Sequence, residues 1–261
     1  MPAKIISVFT GKGGTGKTTF VININAHMKT KGFKLLTIDT DPQRNLYSIN
    51  APDFVHHKPS LFNIMKNEIS IKKVIQQTDG YYLIPTSDNQ NDLNTSINDF
   101  TVLKNSLKGI QDEYDVILID NSPAFTPLTY SSLFASQYIL SPCQVTNECL
   151  NAVLDLMALV NSDDFKNINP NFKGVSVFFS QYNLASKRQS IMSRSIVDNF
   201  RRMSRIFGFK LFSTSIPKNV DVNTASAHHK DIFQYKEKSP VATAYKQLTD
   251  EIITFIDIGG E

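Results

Sequence analysis

Residues 10–20 read TGKGGTGKTTF, and this stretch decides how the rest of the chain is read. Gly11, Gly16, Lys17 and Thr18 satisfy the phosphate-loop pattern G-x-x-x-x-G-K-[ST]. The run IISVF before it (Ile5–Phe9) has β-type composition, and a helical pattern opens at Lys17 and continues through Phe20, Ile22 and Ile24. In the order strand, glycine-rich loop, helix, backbone N–H groups can turn inward around an anion, and the helix N-terminus adds donors and dipole. Gly11, Gly13, Gly14, Thr15, Gly16, Lys17, Thr18 and Thr19 are therefore candidate nucleotide-binding residues. Lys17 would reach the terminal phosphates and Thr18 would offer its hydroxyl to Mg²⁺. The pattern leaves Lys12 unexplained; taken alone, it reads equally well as a solvated loop cation.

Two further elements carry carboxylates. In VILID, apolar Val116–Ile119 deliver Asp120 to the carboxyl edge of a sheet, where a Mg²⁺–triphosphate site takes a carboxylate. In LLTIDTDPQ, Asp39 ends a strand and Asp41 follows two residues later, so on extended chain both can face one side. They could orient an attacking water, or they could be turn residues ahead of Pro42.

Short apolar runs alternate with amphipathic stretches along the 261 residues. That pattern predicts an α/β P-loop fold, a mostly parallel twisted sheet with helices on both faces. Strands are expected at Lys4–Phe9, Lys34–Asp39, Tyr81–Ile84, Val116–Asp120, Tyr138–Ser141, Val175–Ser180 and Lys210–Ser213, because their β-branched and aromatic content lacks clean alternation. The segment Asn45–Lys58 reads as an exposed loop. With 41% hydrophobic residues the chain can pack a core, and a net charge of +3 is too mild to imply nucleic-acid binding by itself. Cys143 and Cys149 form no C-x-x-C, which argues against structural zinc or an iron–sulfur cluster. No leader and no bilayer-length apolar run is visible, so reduced thiols and a cytoplasmic location are expected.

GKGGTGKTT, then DTDPQ, then YDVILIDNSP, in that order and separation, resemble the deviant Walker-A ATPases that include the ParA partition and MinD division-site proteins. LIPTS (Leu83–Ser87) and the segment from IPKN to YKQL extend the resemblance over almost the whole chain. The resemblance implies ATP and Mg²⁺ as cofactors and gives Lys12 a role. It would reach across a homodimer to phosphates held by the other subunit, so that ATP is sandwiched between two chains. It further implies that Asp41 activates water, that Asp39 lies near the Mg²⁺ shell and that Asp120 binds Mg²⁺ through water. Pro217 and Asn219 in IPKN are the implied base contacts. The chain departs from the family at Arg44, where glycine is usual, and at Asn121 and Ser122.

The segment NLASKRQSIMSRSIVDNFRRMSRIFGFK is the second informative region. Ser186 and Gln189 resemble a capping box and Gly208 can close a helix, so a helix is expected over about Lys187–Phe207. Met192, Ile196, Phe200, Met203 and Phe207 fall on one face, and Lys187, Arg194, Arg201 and Arg205 fall within roughly 40° of each other on the other. Arg188 and Arg202 flank this stripe and Asp198 interrupts it. Such a stripe suits duplex phosphates without reading sequence; a solvated helix face is the plainer alternative. ParA-like proteins bind non-specific DNA through this region, so the resemblance favours a nucleoid-associated partition ATPase with a ParB-like centromere-binding partner. Nine residues before the phosphate loop leave no room for a helix-turn-helix, so a single ATPase domain over 1–261 is expected. A MinD-like membrane protein would end in a basic amphipathic helix, whereas this chain ends in AYKQLTDEIITFIDIGGE.

Overall fold

A computed structural model describes residues 1–41, 43, 46, 59–78, 81–86, 97–182 and 190–258. Apolar runs become strands buried on both faces: β1 (Lys4–Val8), β2 (Leu35–Asp39), β5 (Val116–Asp120), β6 (Tyr138–Cys143) and β7 (Gly174–Phe179) are almost wholly inaccessible. With β3 (Gln76–Thr78), β4 (Tyr81–Ile84) and β8 (Lys210–Leu211) they form one sheet in the order β3-β4-β2-β5-β1-β6-β7-β8. All neighbours are parallel except β3 with β4. The antiparallel β3 was not expected, because Gln76-Gln77-Thr78 carries no apolar periodicity; it is an edge strand held by pairing alone. Of the predicted last strand, Lys210 and Leu211 pair in register with β7 and the Phe212 N–H still donates to the Val177 carbonyl at 2.8 Å, whereas the N–H groups of Ser213 and Thr214 turn away to the Glu251 carboxylate at 2.7 and 3.0 Å.

Helices cover both faces. Helix α1 (Lys17–Thr30) packs on one face, together with the later helix of residues 240–256, through Phe20, Ile24, Met28, Leu248 and Ile252. On the other face are α2 (Leu61–Met65), α3 (Val102–Leu107), α4 (Pro127–Ala135), α5 (Asn147–Asn161), α6 (Asp163–Ile168) and α7 (Ile191–Phe207). Helices α8 (Val220–Ala227), α9 (Ile232–Lys236) and α10 (Pro240–Ile256) follow β8. In the sheet, β5 separates β1 from β2 while β6 and β7 continue on its other side, so connections diverge at β1 and leave a crevice above its carboxyl end. The phosphate loop occupies that position.

Helix α7 differs from expectation in two ways. Ser190, not Ser186, is its N-cap, accepting the Ser193 N–H at 3.0 Å, while Gly208 at φ 81° closes the other end as expected. The proposed capping pair Ser186 and Gln189, and Lys187 and Arg188, lie outside the described residues, as do Arg44 and the segment 47–58. Ile196, Val197 and Phe200 are the buried anchors, with Phe200 edge-on to Phe179 at 5.1 Å. Met192 is 69% exposed and Phe207 39%, so the apolar face is shorter than the periodicity implied. Both lie in the end turns of the helix.

Candidate nucleotide site

Residues 10–19 wrap the crevice. Gly14 and Gly16 adopt φ of 73° and 86°, left-handed values that a side chain disfavours, and Gly16 is the N-cap of α1. A cavity of about 790 Å³ opens there, lined by Gly13, Gly14, Gly16, Lys17, Thr18 and Thr19 from the loop side. Asp41, Gln43, Ser122, Pro123, Ala124, Thr126, Asn223 and Ser226 line the rest. A second cavity of about 130 Å³ shares Gly16, Thr19 and Asn223 with the first. It runs between the ends of β7 and the turn into α8, bounded by Thr15, Ser180, Gln181, Pro217 and Asn219. A larger compartment that holds Lys17 and the loop backbone, adjoining a smaller one bounded by Pro217 and Asn219, suits a phosphate chain followed by a planar base.

Lys17 is 6% exposed at the start of α1. Burial lowers its pKa, and the carboxylates of Asp120 and then Asp41 oppose that shift. Asp120 is fully buried; burial is the main cause that pushes its pKa up to about 7, with the Thr18 hydroxyl and Lys17 pulling it down and Asp41 pushing it up. Neither Asp120 oxygen has a geometrically satisfied hydrogen bond among the described residues. An under-satisfied carboxylate beside a threonine hydroxyl is a set of hard oxygen donors, which fits Mg²⁺.

Asp39 at the end of β2 and Asp41 two residues later both serve as turn formers, and Asp41 also faces the site. The Asp41 N–H donates to Asp39 Oδ1 at 2.9 Å, and Asp41 Oδ1 accepts the Gln43 N–H at 2.9 Å. Asp41 lines the large cavity, whereas Asp39 and Asp120, paired in register on β2 and β5, are buried behind its lining. Asn121 is structural: its Nδ2 donates to the Val8 and Ile119 carbonyls at 3.2 and 3.1 Å and its Oδ1 accepts from the Thr40 hydroxyl. It ties the carboxyl ends of β1, β2 and β5 together.

Lys12 turns away from its own cavity. Its Nζ lies 3.2 Å from Thr146 Oγ1 and 3.4 Å from Glu148 at the start of α5, and its side chain is 31% exposed.

The AAA domain family, AAA_31, matches residues 3–174. The chain belongs to that family, and is a P-loop ATPase of the ParA/MinD type. The chromosome-partitioning ATPase Soj of Thermus thermophilus is 28% identical over 250 residues, which is 95% of this chain and 94% of that protein. The sporulation initiation inhibitor protein Soj of Bacillus subtilis is 26% identical over 95% of this chain and 98% of its own. Among solved folds, apo McdA of Cyanothece superposes with a TM-score of 0.82 at 20% identity, covering 96% of this chain and 99% of its own. MinD of Pyrococcus furiosus gives 0.75 at 21%, covering 97% and 99%.

In this ParA/MinD-type chain the structure gathers Gly13–Thr19, Asp41, Pro217 and Asn219 around one continuous crevice. Gly11 and Lys12 lie outside both linings. Asn219 caps α8 through the Asp221 N–H at 2.7 Å. Ser122–Ala124, Thr126, Asn223, Ser226, Ser180 and Gln181 escaped the sequence reading. For Ser122–Thr126 the signal was their place just after a carboxylate-bearing strand; for the others, only three-dimensional proximity selects them.

The candidate DNA residues are split. Taking Phe200 as the centre of the buried face, Arg194, Arg201 and Arg205 lie about 100–140° around the helix from it, and only Arg202 sits near the outer pole. The stripe therefore occupies a flank. That flank overlooks a groove of about 740 Å³ between α7 and β8, bordered by Arg201, Ser204, Arg205, Lys210 and Ser213 over a floor of Phe179, Phe209 and Phe212. Arg201 also pairs with Asp198 at 2.9 Å.

Proposed function

We propose that this ATPase binds Mg²⁺–ATP in the crevice, closes into a homodimer with ATP sandwiched between the subunits and, in that form, binds duplex DNA without reading its sequence. A ParB-like protein bound at a centromere-like site then stimulates hydrolysis, and the cycle partitions a plasmid or chromosome in association with the nucleoid. The observation that carries this reading is Lys12. A cation that lies outside its own phosphate cavity, partly exposed and 3.4 Å from Glu148, supports a role toward a second chain. Two triphosphates face to face need that added positive charge, and a diphosphate needs it less.

Each step rests on residues of this chain. The N–H groups of the left-handed Gly14 and Gly16 and the start of α1 cradle phosphate oxygens. Lys17 and the partner chain's copy of Lys12 neutralise charge as it shifts toward the leaving oxygen. Thr18 and Asp120 would hold the Mg²⁺, with Asp39 fixing the Asp41 backbone. Asp41 has one oxygen committed to Gln43 and uses the other to orient the attacking water. Bound Mg²⁺–ATP supplies the γ-phosphoryl group and the divalent charge.

For DNA, the arginine flank of α7 and Lys210 form two banks of one groove, so the phosphate track would run along the α7–β8 groove and not over the helix pole. The rival reading, a MinD-like membrane-positioning ATPase, is disfavoured by α10. Its apolar residues Val241, Leu248, Ile252 and Ile256 are already buried against the core and are not free to enter a membrane surface. In a ParA-like ATPase that positions a non-DNA cargo, the stimulating partner would sit on that cargo instead of a centromere-like site. Sedimentation with ADP, ATP and a non-hydrolysable triphosphate tests the core claim: dimer mass is expected only with a triphosphate, and an unchanged single-chain mass would refute it.

A further inference from the structure

Gln181 stands at the end of β7 with φ 55°. A non-glycine residue in this left-handed region costs roughly 1 kcal/mol, so its neighbours must hold it there. They do: the Ser180 N–H donates to the Cys143 carbonyl at 2.8 Å and the Tyr182 N–H to the Ile216 carbonyl at 2.9 Å. The resulting turn directs the Gln181 carboxamide onto the phosphate loop, where Nε2 donates to the Gly14 carbonyl at 3.0 Å. Gln144 braces the arrangement, its Nε2 lying 3.3 Å from the same carbonyl and 3.3 Å from Gln181 Oε1. Gly14 is itself left-handed, and it lines the phosphate cavity.

Gln181 also lines the smaller cavity, opposite Pro217 and Asn219 and beside two buried hydroxyls, Thr15 and Ser180, that have no hydrogen-bond partner among the described residues. Two such hydroxyls bordering one cavity suit a polar planar ligand. Gln144 borders neither cavity. One left-handed residue therefore borders the smaller cavity and also reaches the phosphate loop with its side chain.

We propose that Gln181, braced by Gln144, is a positioning residue that couples occupancy of the base compartment to the shape of the phosphate loop. This rests on the nucleotide reading of the crevice. A base seated between Gln181 and the Pro217–Asn219 turn removes the freedom of residues 180–182. The fixed carboxamide then holds the Gly14 carbonyl outward, and the loop N–H groups converge on the phosphates. The ordering entropy of the loop is shared between the two halves of the ligand, so the base strengthens phosphate binding beyond its own contacts.

The test compares ATP with inorganic tripolyphosphate, each with Mg²⁺, by calorimetry on the full chain. Gln181→Met keeps length and bulk but removes donor and acceptor; Gln144→Met removes the brace from a position that cannot touch the base. Coupling predicts that the affinity advantage of ATP over tripolyphosphate shrinks by roughly fivefold or more in Gln181→Met and moves the same way in Gln144→Met. Equal weakening of both ligands would make the glutamines a plain structural brace and overturn the proposal. A smaller advantage in Gln181→Met with no change in Gln144→Met would reduce Gln181 to a base contact and overturn it too. A wild-type chain that binds neither ligand would instead sink the nucleotide reading itself.

Discussion

Asp120→Asn probes the electrostatics of the site without adding bulk. Burial lifts the Asp120 pKa from 3.8 to about 7, so the folded protein holds a proton there that the unfolded chain releases at lower pH. Because the folded pKa is raised, the associated stability is fully present below the unfolded pKa and is lost as pH rises through the folded one. At 1.36 kcal/mol per unit, these two pKa values give a loss of about 2 kcal/mol between pH 5.5 and pH 8. Urea unfolding of nucleotide-free protein at the two pH values measures it. Wild type should lose about 2 kcal/mol more than Asp120→Asn over that interval, and the variant should be the more stable of the two at pH 8. Mg²⁺ should reverse the order, since the ionised carboxylate then has a cation to face and the amide does not. Parallel losses in the two proteins would refute the claim that Asp120 is buried and under-satisfied in the ligand-free fold.

Lys17→Ala should abolish measurable ATP turnover, read by phosphate release, because among the described residues no other cationic side chain lines the larger cavity. Asp41→Ala should keep triphosphate-dependent dimers in sedimentation yet hydrolyse about 100-fold more slowly or worse; turnover at the wild-type rate would leave Asp41 a turn former only. Replacing Arg201, Arg205 and Lys210 together by alanine should weaken DNA retention and lower the slope of log affinity against log salt by about 2 to 3, with ATPase activity unchanged. Phe200→Ala should cost about 3–5 kcal/mol in urea unfolding, because the ring is fully buried against Phe179 beneath α7.

Legibility in the sequence followed locality. Strands β1, β2, β5 and β7 were read close to their bounds because apolar runs buried on both faces have no competing interpretation. The phosphate loop was legible because its chemistry needs contiguous residues: glycines for left-handed turns, then a lysine and a hydroxyl on the first turn of a helix. By contrast, β3 has no apolar signal, and the start of α7 lies later than the Ser186–Gln189 pattern implies because Ser190 makes the cap, while its end at Phe207 and Gly208 is as expected.

The sequence by itself determined the α/β architecture, the loop that cradles phosphate and the two strand ends that deliver Asp41 and Asp120, since each depends on neighbours in the chain. Only the tertiary structure decided that Lys12 points away from its own cavity, that the arginines occupy a flank of α7 facing Lys210, and that Gln181 reaches Gly14 across 167 positions of sequence. Those facts depend on which strand lies beside which and how far each helix is rotated over the sheet. Rotation and adjacency are set by the packing of whole faces, and no local pattern of residues encodes them.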